Sequence, residues 1–205
     1  MTLAVRDLAI GRGGRTLLAG VTFEVEGRAA LAIRGRNGLG KTTLLRTLAG
    51  LTPPLAGTLA QAPEDCAYAS HADGLKATLT VREHLAFWAR IYGTEGGARA
   101  LANYGLERLA DVPCGALSAG QRRRAALARL SLSARPIWLL DEPMAALDRD
   151  GVAQLAAAIE DHLATGGLAL IVTHGSLPFD CPSLDLGAFE AREADGADGF
   201  GEALA

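Results

Sequence analysis

The 205-residue sequence predicts an α/β fold with a mostly parallel central sheet and an inserted helical subdomain. Short runs rich in Val, Ile and Leu recur along the chain, and segments with the apolar period of a helix separate several of them. Between about residues 80 and 116 the strand signals disappear, and helical segments with glycine-containing joints replace them. We therefore expect one domain in which a helical subdomain interrupts the sheet.

The individual strands and helices follow from apolar period and stop signals, taken in order along the chain. The apolar runs predict strands at residues 3–8, 21–25, 29–34, 137–141 and 168–173. The helical period predicts helices at residues 41–49, 81–92, 121–132 and 152–165. Glycine follows three of these helices, at positions 50, 93 and 166, and is the usual residue just beyond a helix end. After Ser176 the pattern weakens, so we expect a loosely structured tail.

The composition argues against several classes of protein. The apolar runs are too short to cross a bilayer, and the first residues lack the apolar core of a signal peptide, so we expect a cytosolic protein. The net charge of -3 offers no general attraction to nucleic acid. Three cysteines without CxxC or metal-ligand spacing are expected to be reduced packing residues.

A glycine-rich segment between a predicted strand and a predicted helix has the pattern G-x-x-x-x-G-K-[ST] of a phosphate-binding loop. Its glycines allow backbone N–H groups to turn toward phosphate oxygens, and the helix N-terminus adds partial positive charge. Lys41 is expected to neutralise charge on the β- and γ-phosphates of ATP during catalysis, and the Thr42 hydroxyl is expected to bind Mg²⁺. The predicted ATP-binding residues of this loop are Gly35, Arg36, Asn37, Gly38, Leu39, Gly40, Lys41, Thr42 and Thr43.

Two adjacent carboxylates close a predicted strand that is apolar throughout, as a strand buried on both faces requires. We expect Asp141 to hold Mg²⁺ through water, opposite Thr42. We expect Glu142, the next residue, to polarise the water that attacks the γ-phosphate. A solvated acidic turn is the alternative, and the neighbouring phosphate loop argues against it.

A third motif, LSAGQ at residues 117–121, precedes a basic helix, so Ser118 and the Gly120 backbone lie at a helix N-terminus, a second anion site. The three motifs, in this order, resemble the ABC ATPase family, whose signature is LSGGQ. The resemblance covers about residues 1–175 and implies a phosphate-loop NTPase fold of ABC type. We assign residues 1–75 and 117–175 to the nucleotide-binding core, about 76–116 to the helical subdomain and 176–205 to a C-terminal tail.

The resemblance also implies that two copies share their sites. In the ABC family the signature of one subunit caps the γ-phosphate held by the other, so Ser118 and Gly120 are expected to act in trans within an ATP-bound homodimer. Residues 146–148 resemble the D-loop, which implies that Asp148 contacts nucleotide across the dimer, although a simple helix cap is the alternative. His174 lies where the family has its switch histidine, which implies a catalytic contact with γ-phosphate and water; a lone surface histidine is the alternative.

The sequence departs from the family pattern at two places. The family has a glutamine at the end of the strand that enters the helical subdomain, but this chain has His71 or Ala72 there. The aromatic residue that stacks on adenine is also missing from the N-terminal strand and turn, where Arg12 and Arg15 are present instead. An arginine can stack on a purine through its guanidinium plane, or the two can be solvated surface residues.

Several segments resemble one branch of the family, the ATP-binding subunits of bacterial cytochrome c maturation, often called haem exporters. These are the LSAGQ signature, the RGGRTLL turn and the H-x-x-G-L-K-x-x-L-T segment at the helical subdomain. This resemblance implies an integral membrane partner, a peripheral position on the cytoplasmic face of the bacterial inner membrane, and coupling of ATP hydrolysis to a haem-carrying chaperone. No haem-ligand motif is present, so we expect no direct haem ligation.

Two alternatives remain from the sequence. One is an ABC exporter ATPase for a different substrate. The other is a soluble ABC ATPase that acts on DNA or ribosomes through the basic run Arg122, Arg123 and Arg124. The chain lacks the long coiled coil and the tandem ATPase domains of such proteins, so we expect no direct nucleic-acid contact. A kinase or GTPase of the wider phosphate-loop class leaves LSAGQ and the terminal histidine unexplained.

Overall fold

A computed structural model of the chain describes residues 1–191 and contains two sheets and five α-helices within that range. The strands are β1 Thr2–Arg12, β2 Arg15–Glu26, β3 Ala30–Arg34, β4 Ala56–Leu59, β5 Cys66–Ala69, β6 Ile137–Asp141, β7 Leu168–Val172 and β8 Ser183–Asp185. The α-helices are α1 Lys41–Leu48, α2 Val81–Tyr92, α3 Gly97–Asn103, α4 Ala119–Ala128 and α5 Arg149–Ala164.

The central sheet has five strands in the order β5-β6-β7-β3-β8, and every described neighbour pair is parallel. All residues of β6 and β7 are buried, which explains their continuous apolar sequences, because side chains on both faces of an inner parallel strand meet other elements. The carboxyl ends of β3, β6 and β7 therefore meet at one edge of the sheet. The predicted phosphate loop and the predicted carboxylates follow these strands directly.

The second sheet is antiparallel, with the order β2-β1-β4. Its buried side chains share one core with α1 and one face of the central sheet, including Leu3, Val21, Leu44 and Leu139. A second core forms on the other face of the central sheet, between β6, β7, α5 and the helices of residues 81–132. Side chains of a strand point alternately to the two faces of a sheet, so the continuous apolar sequences of the central strands supply apolar side chains to both cores.

Helices without an intervening strand occupy residues 81–132 in the part of the chain that the structure describes. The second of the predicted segments there, 121–132, is helical from residue 119, and its last turn, Arg129–Leu132, is a 3-10 helix. Helix α2 begins at a capping box, in which Thr80 and Glu83 bond each other's backbone N–H, and ends at Gly93 in the left-handed conformation. No helix in residues 1–191 combines the length and apolarity needed to cross a membrane.

The expectation of a loosely structured tail after Ser176 is wrong for residues 183–191. Strand β8 pairs in parallel with β3, and a 3-10 helix, Leu186–Phe189, follows it. Leu186 is fully buried in the core beneath the antiparallel sheet, and the backbone N–H of Ala191 donates to the Leu17 carbonyl. Strand β8 has only three residues, of which Leu184 alone is partly buried, and so short a pattern did not predict a strand. The rest of the predicted tail, residues 192–205, lies outside the described residues.

Candidate active site

The phosphate loop connects the end of β3 to the start of α1, as its motif predicts. Gly35 has a φ of 145°, and a Cβ atom there would lie 2.7 Å from the Leu39 side chain. Gly40 caps α1 with a φ of 111°, and a Cβ atom there would press on Leu17 of the β1–β2 hairpin at 3.3 Å. Both positions therefore need glycine, for conformation and for space. Arg36, Asn37 and Gly38, at the turn of the loop, are exposed.

Lys41 is held inside this loop rather than extended into solvent. The residue is 7% exposed, and its Nζ donates to the Gly35 carbonyl at 2.8 Å and the Arg36 carbonyl at 3.0 Å. Burial lowers the pKa of Lys41, while the nearby carboxylates of Glu142 and Asp141 raise it. An ammonium group has three N–H donors, so these two bonds fix its position and leave one donor for a phosphate oxygen.

Thr42 and Asp141, the two predicted Mg²⁺ ligands, contact each other. Thr42 Oγ1 donates to Asp141 Oδ2 at 2.8 Å, although the residues are far apart in sequence. Tyr68, on the neighbouring strand β5, donates its hydroxyl to the same oxygen at 3.4 Å. Burial, and then the Asp141 charge, raise the pKa of Tyr68 to about 12, so its hydroxyl remains a donor at neutral pH. Oxygen ligands of this kind suit Mg²⁺, and Asp141 itself is only 2% exposed.

Glu142 leaves β6 in an unusual backbone conformation and lies beside His174. Its φ is 48°, a value uncommon for residues with a side chain, and its N–H donates to the Val172 carbonyl at 3.0 Å. Its Oε1 atom is buried and has no hydrogen-bond partner among the described residues. His174 Nε2 is 3.5 Å from that atom and half exposed. The two predicted catalytic side chains therefore meet at the carboxyl edge of the sheet.

The signature residues lie apart from this cluster. Ser118 caps α4 and forms a reciprocal capping box with Gln121, and Ser118 itself is exposed. A Cβ atom at Gly120 would lie 2.9 Å from the Ala146 carbonyl, so the signature packs against the predicted D-loop. Asp148 caps α5 by accepting from the Gly151 N–H at 2.8 Å. Within residues 1–191 no hydrogen bond joins Ser118 or Asp148 to the phosphate loop of the same chain.

The three arginines of the basic run on α4 bond to groups within the protein; Arg123 is buried, and Arg122 and Arg124 are partly buried. Arg122 donates to the Leu117 carbonyl at 2.6 Å, and Arg124 donates to the Tyr104 carbonyl at 3.2 Å. Arg123 is buried and donates to several backbone carbonyls next to Asp141 and Glu142. A phosphate-binding surface needs exposed guanidinium groups, so these contacts count against the nucleic-acid alternative.

The two departures from the family pattern lie at the surface. His71 and Ala72 follow β5 and are exposed, and no hydrogen bond links the His71 side chain to Asp141 within the described residues. Arg12 and Arg15 face each other across the β1–β2 turn, and both are exposed. Because Leu17 of this hairpin packs on Gly40, the hairpin lies beside the phosphate loop.

Sequence reasoning missed three residues around the site: Tyr68, Arg123 and Glu190. The carboxylate of Glu190 forms an ion pair with Arg36 of the phosphate loop. Tyr68 shares a face of the sheet with Leu139 and Asp141, but this follows only from the pairing of β5 with β6, and β5 is too short to be assigned from the sequence. Arg123 and Glu190 have no local signal either, since their contacts depend on how distant segments pack.

Together these groups provide the phosphate ligands, cation ligands and proton acceptor that phosphoryl transfer from ATP to water requires. The loop amides and Lys41 can hold phosphate oxygens, Thr42 and Asp141 can hold a divalent cation, and Glu142 can accept a proton from water. The arrangement is suited to direct hydrolysis of a nucleoside triphosphate.

Comparisons with known proteins agree with this chemistry. A family model described as ABC transporter matches residues 18–145. The chain is 53% identical over 204 residues, spanning 100% of both chains, to a Ruegeria pomeroyi protein named cytochrome c biogenesis ATP-binding export protein CcmA. A Paracoccus denitrificans protein of the same name is 53% identical over 93% of this chain and 91% of its own.

A solved structure of a putative ABC transporter ATP-binding protein from Pyrococcus furiosus gives a TM-score of 0.83 at 25% identity. That match covers 93% of this chain and 100% of the other. Since the two relatives and the solved structure match this chain over 93% or more of its length, and the family model matches residues 18–145, the predicted phosphate-loop NTPase fold of ABC type is confirmed.

Proposed function

This chain belongs to the ABC transporter family as an ATP-binding and ATP-hydrolysing protein, and from that premise we propose that it drives an export step of cytochrome c biogenesis. The proposal extends to the residues that act on ATP, to dimerisation, to the membrane partner and to the side of the membrane on which it works. The catalytic part of the proposal is supported by one observation: five side chains lie together at one edge of the central sheet, those of Lys41, Thr42, Asp141, Glu142 and His174.

In the proposed reaction each residue has a separate task. The loop amides and Lys41 bind the β- and γ-phosphates, and Thr42 and Asp141, which contact each other, would hold Mg²⁺. When bound, Mg²⁺ neutralises charge on the phosphate oxygens. Glu142 accepts a proton from the attacking water, and its Oε1 atom forms no hydrogen bond with the described residues that would compete for that proton. His174, whose Nε2 lies 3.5 Å from that oxygen, contacts the γ-phosphate.

We propose that hydrolysis takes place in a head-to-tail homodimer. Ser118 is exposed at the N-terminus of α4, and its bonds with Gln121 leave the helix end facing outward. A helix N-terminus stabilises negative charge, so the γ-phosphate held by a second copy fits there. Asp148, at the start of α5 and near the signature, lies on the same side because the D-loop carbonyl of Ala146 packs on Gly120.

The dimer is tested with ATP and the Glu142→Gln variant, in which trapped nucleotide should hold two copies together. Light scattering after size exclusion should give the mass of a dimer with ATP and of a monomer without it. Adding Ser118→Arg to that variant should abolish the dimer, because the long side chain fills the space of the phosphate contact and the N-cap hydroxyl is lost. A dimer that persists with Ser118→Arg would refute the in-trans assignment.

We propose that the membrane subunit docks on the exposed face of α2. The sequence of the helical region offers three large apolar candidates for this contact, Leu75, Phe87 and Trp88. Leu75 and Trp88 are partly buried against the core of the helical region, whereas Phe87 is 50% exposed and Ile91, one turn later, is 60% exposed. Two large apolar side chains exposed at i and i+4 form a stripe that a partner helix can cover.

The docking surface is tested by the double substitution Phe87→Ala and Ile91→Ala in tagged protein purified from detergent-solubilised membranes. The matched control is Leu51→Ala, which removes an equally exposed leucine (58%) from the loop after α1. The double variant should lose the membrane subunit, and the control should retain it. Full retention by the double variant would rule out α2 as the docking face.

The cytochrome c assignment rests on the full-length similarity to proteins named for that process and on the branch features of the sequence. We propose that the membrane partner is a multi-span subunit, that this chain binds it at the cytoplasmic face of the bacterial inner membrane, and that hydrolysis acts on a haem-carrying chaperone. The ATPase itself does not ligate haem in this proposal.

The decisive experiment is affinity purification of the tagged chain from its own membranes, with partners identified by mass spectrometry and ATPase activity measured for wild type and Glu142→Gln. Recovery of a multi-span membrane subunit with cytochrome c maturation proteins supports the proposal. Recovery of ribosomal proteins or DNA in their place would refute it. A transporter of another class in the same fraction would support the family and refute the cytochrome c branch.

A further inference from the structure

Arg123 is the most extensively hydrogen-bonded buried cation in the described part of the chain. It is 4% exposed, although it lies within a run of three arginines on α4. All of its nitrogens donate, and its acceptors come from two distant segments. They are the carbonyls of Ser70 (2.8 Å), His71 (3.5 Å), Asp141 (3.1 Å), Glu142 (2.9 Å) and Pro143 (3.2 Å), and Asp73 Oδ1 (3.5 Å).

These acceptors make the buried charge tolerable without a close ion pair. Burial lowers the pKa of Arg123, and the carboxylate of Asp73 acts in the opposite direction. A guanidinium group remains charged in proteins, so its five N–H groups need acceptors once water is removed. Backbone carbonyls supply most of them here. Burying a charge contributes little to the stability of a protein, so we looked for a role of Arg123 in organising the segments that it contacts.

The backbone that Arg123 binds is the strained turn of Glu142. Nη2 donates to the Asp141 and Glu142 carbonyls, which flank the φ of 48° at residue 142, and Nε donates to the Pro143 carbonyl. A residue with a side chain keeps such a conformation only when its surroundings enforce it. The direction of the Glu142 carboxylate depends on this turn, because the turn orients the Cα–Cβ bond.

We propose that Arg123 is a positioning residue for hydrolysis, which fixes the turn at Glu142 and ties it to α4 and to residues 70–73. The inference rests on the proposed role of Glu142 as general base. It assigns to one side chain the link between three segments: the helix that follows the signature, the segment that leaves β5 toward the helical region, and the catalytic strand. A shift of α4 or of residues 70–73 is therefore transmitted to the carbonyl of Glu142.

The test compares single-turnover hydrolysis of radiolabelled ATP by Arg123→Lys, Glu142→Gln and the double variant. Lysine keeps the charge and most of the apolar stem, but its donors radiate from one atom and cannot reach residues 70, 141, 142 and 143 together. The hydrolysis rate of Arg123→Lys should fall by about tenfold or more, a part of the effect typical of general-base catalysis. Affinity for a fluorescent ATP analogue should stay within about twofold of wild type, since Arg123 does not contact the phosphate loop.

The double variant separates positioning from general destabilisation. If Arg123 acts through Glu142, the double variant should hydrolyse ATP as slowly as Glu142→Gln alone, because the positioned group is already inactive. A rate lowered by the product of the two single effects would overturn the inference. The matched control is Arg124→Lys on the same helix, whose guanidinium also bonds backbone carbonyls but does not touch residues 141–143; its rate should stay within about twofold of wild type.

The outcomes distinguish this inference from the proposed function. A wild-type rate for Arg123→Lys, with Glu142→Gln inactive, overturns the positioning role and leaves the ATPase mechanism intact. A wild-type rate for Glu142→Gln overturns the general base and the inference with it. If Arg123→Lys fails to fold, the Asp73→Asn variant takes its place in the test. That substitution removes only the negative charge of Asp73, whose Oδ1 lies 3.5 Å from Arg123 Nη1. Asp73→Asn should lower the hydrolysis rate severalfold when it is the only substitution, and should not lower it further when Glu142→Gln is also present. Equal effects in the two backgrounds would refute the inference.

Discussion

Replacement of Leu186 by alanine tests whether residues 183–191 belong to the folded core. Leu186 is fully buried, and its Cβ lies 3.6 Å from the position that a Cβ would take at Gly35, so it packs directly under the phosphate loop. Strand β8 places it there through parallel pairing with β3. If this segment is part of the core, removing the side chain leaves a cavity between the loop and the sheet.

The magnitude follows from that burial. Truncation of a fully buried leucine to alanine costs about 2–5 kcal/mol of unfolding free energy, from lost transfer energy and from the cavity. We expect about 3 kcal/mol at this site. For a chain of this size each kcal/mol lowers Tm by about 2–4 °C, which gives a drop of about 6–12 °C.

The assay is urea and thermal unfolding followed by circular dichroism at constant protein concentration. Leu51→Ala is the matched control, since it makes the same chemical change at a leucine that is 58% exposed, and it should cost less than about 0.5 kcal/mol. A loss below about 1 kcal/mol in Leu186→Ala would refute the packing of this segment. A normal loss without any change in ATP binding would show that the segment supports the fold but not the loop.

Three further predictions concern two residues of the site and the pH dependence of stability. Glu142→Gln should lower the hydrolysis rate about 10²–10⁴-fold while ATP still binds, and near-normal hydrolysis would remove the general-base assignment. Lys41→Ala should weaken ATP binding itself, measured by equilibrium titration, and unchanged affinity would contradict the contact. Burial lowers the pKa of His162 below its ordinary value of 6.5, so the unfolded chain binds more protons and stability falls as the pH drops below that value. The free energy of unfolding of His162→Gln should fall less between pH 7.5 and 5 than that of wild type. An equal fall in the two proteins would refute the role of His162 in this pH dependence.

Much of the fold was predictable because its signals are local. The inner strands β3, β6 and β7 contain continuous runs of four or five apolar residues, and glycine marks the helix ends at Gly50, Gly93 and Gly166. The short strands β4, β5 and β8 were not assigned from apolar period, because three or four residues cannot establish a pattern against polar neighbours.

The site was predictable to the extent that it consists of motifs. The phosphate loop and the carboxylates after β6 each follow a strand end, and parallel strands bring their carboxyl ends together, so the contact between Thr42 and Asp141 follows from topology. The unusual φ of Glu142 and the burial of Arg123 could not be predicted. They depend on the packing of residues 70–73 and 141–143 around one side chain, which no local pattern encodes.

The contacts of Arg123 have a consequence for how such links can be recognised across a family. Of its six acceptors, five are main-chain oxygens, which every amino acid supplies, and only Asp73 contributes a side chain. The residue at position 70 or 71 can therefore change identity during evolution without breaking the link and without a compensating change at position 123. Correlated substitutions, which reveal contacts between side chains, would leave this connection undetected. Residues joined through the main chain in this way must be found from geometry.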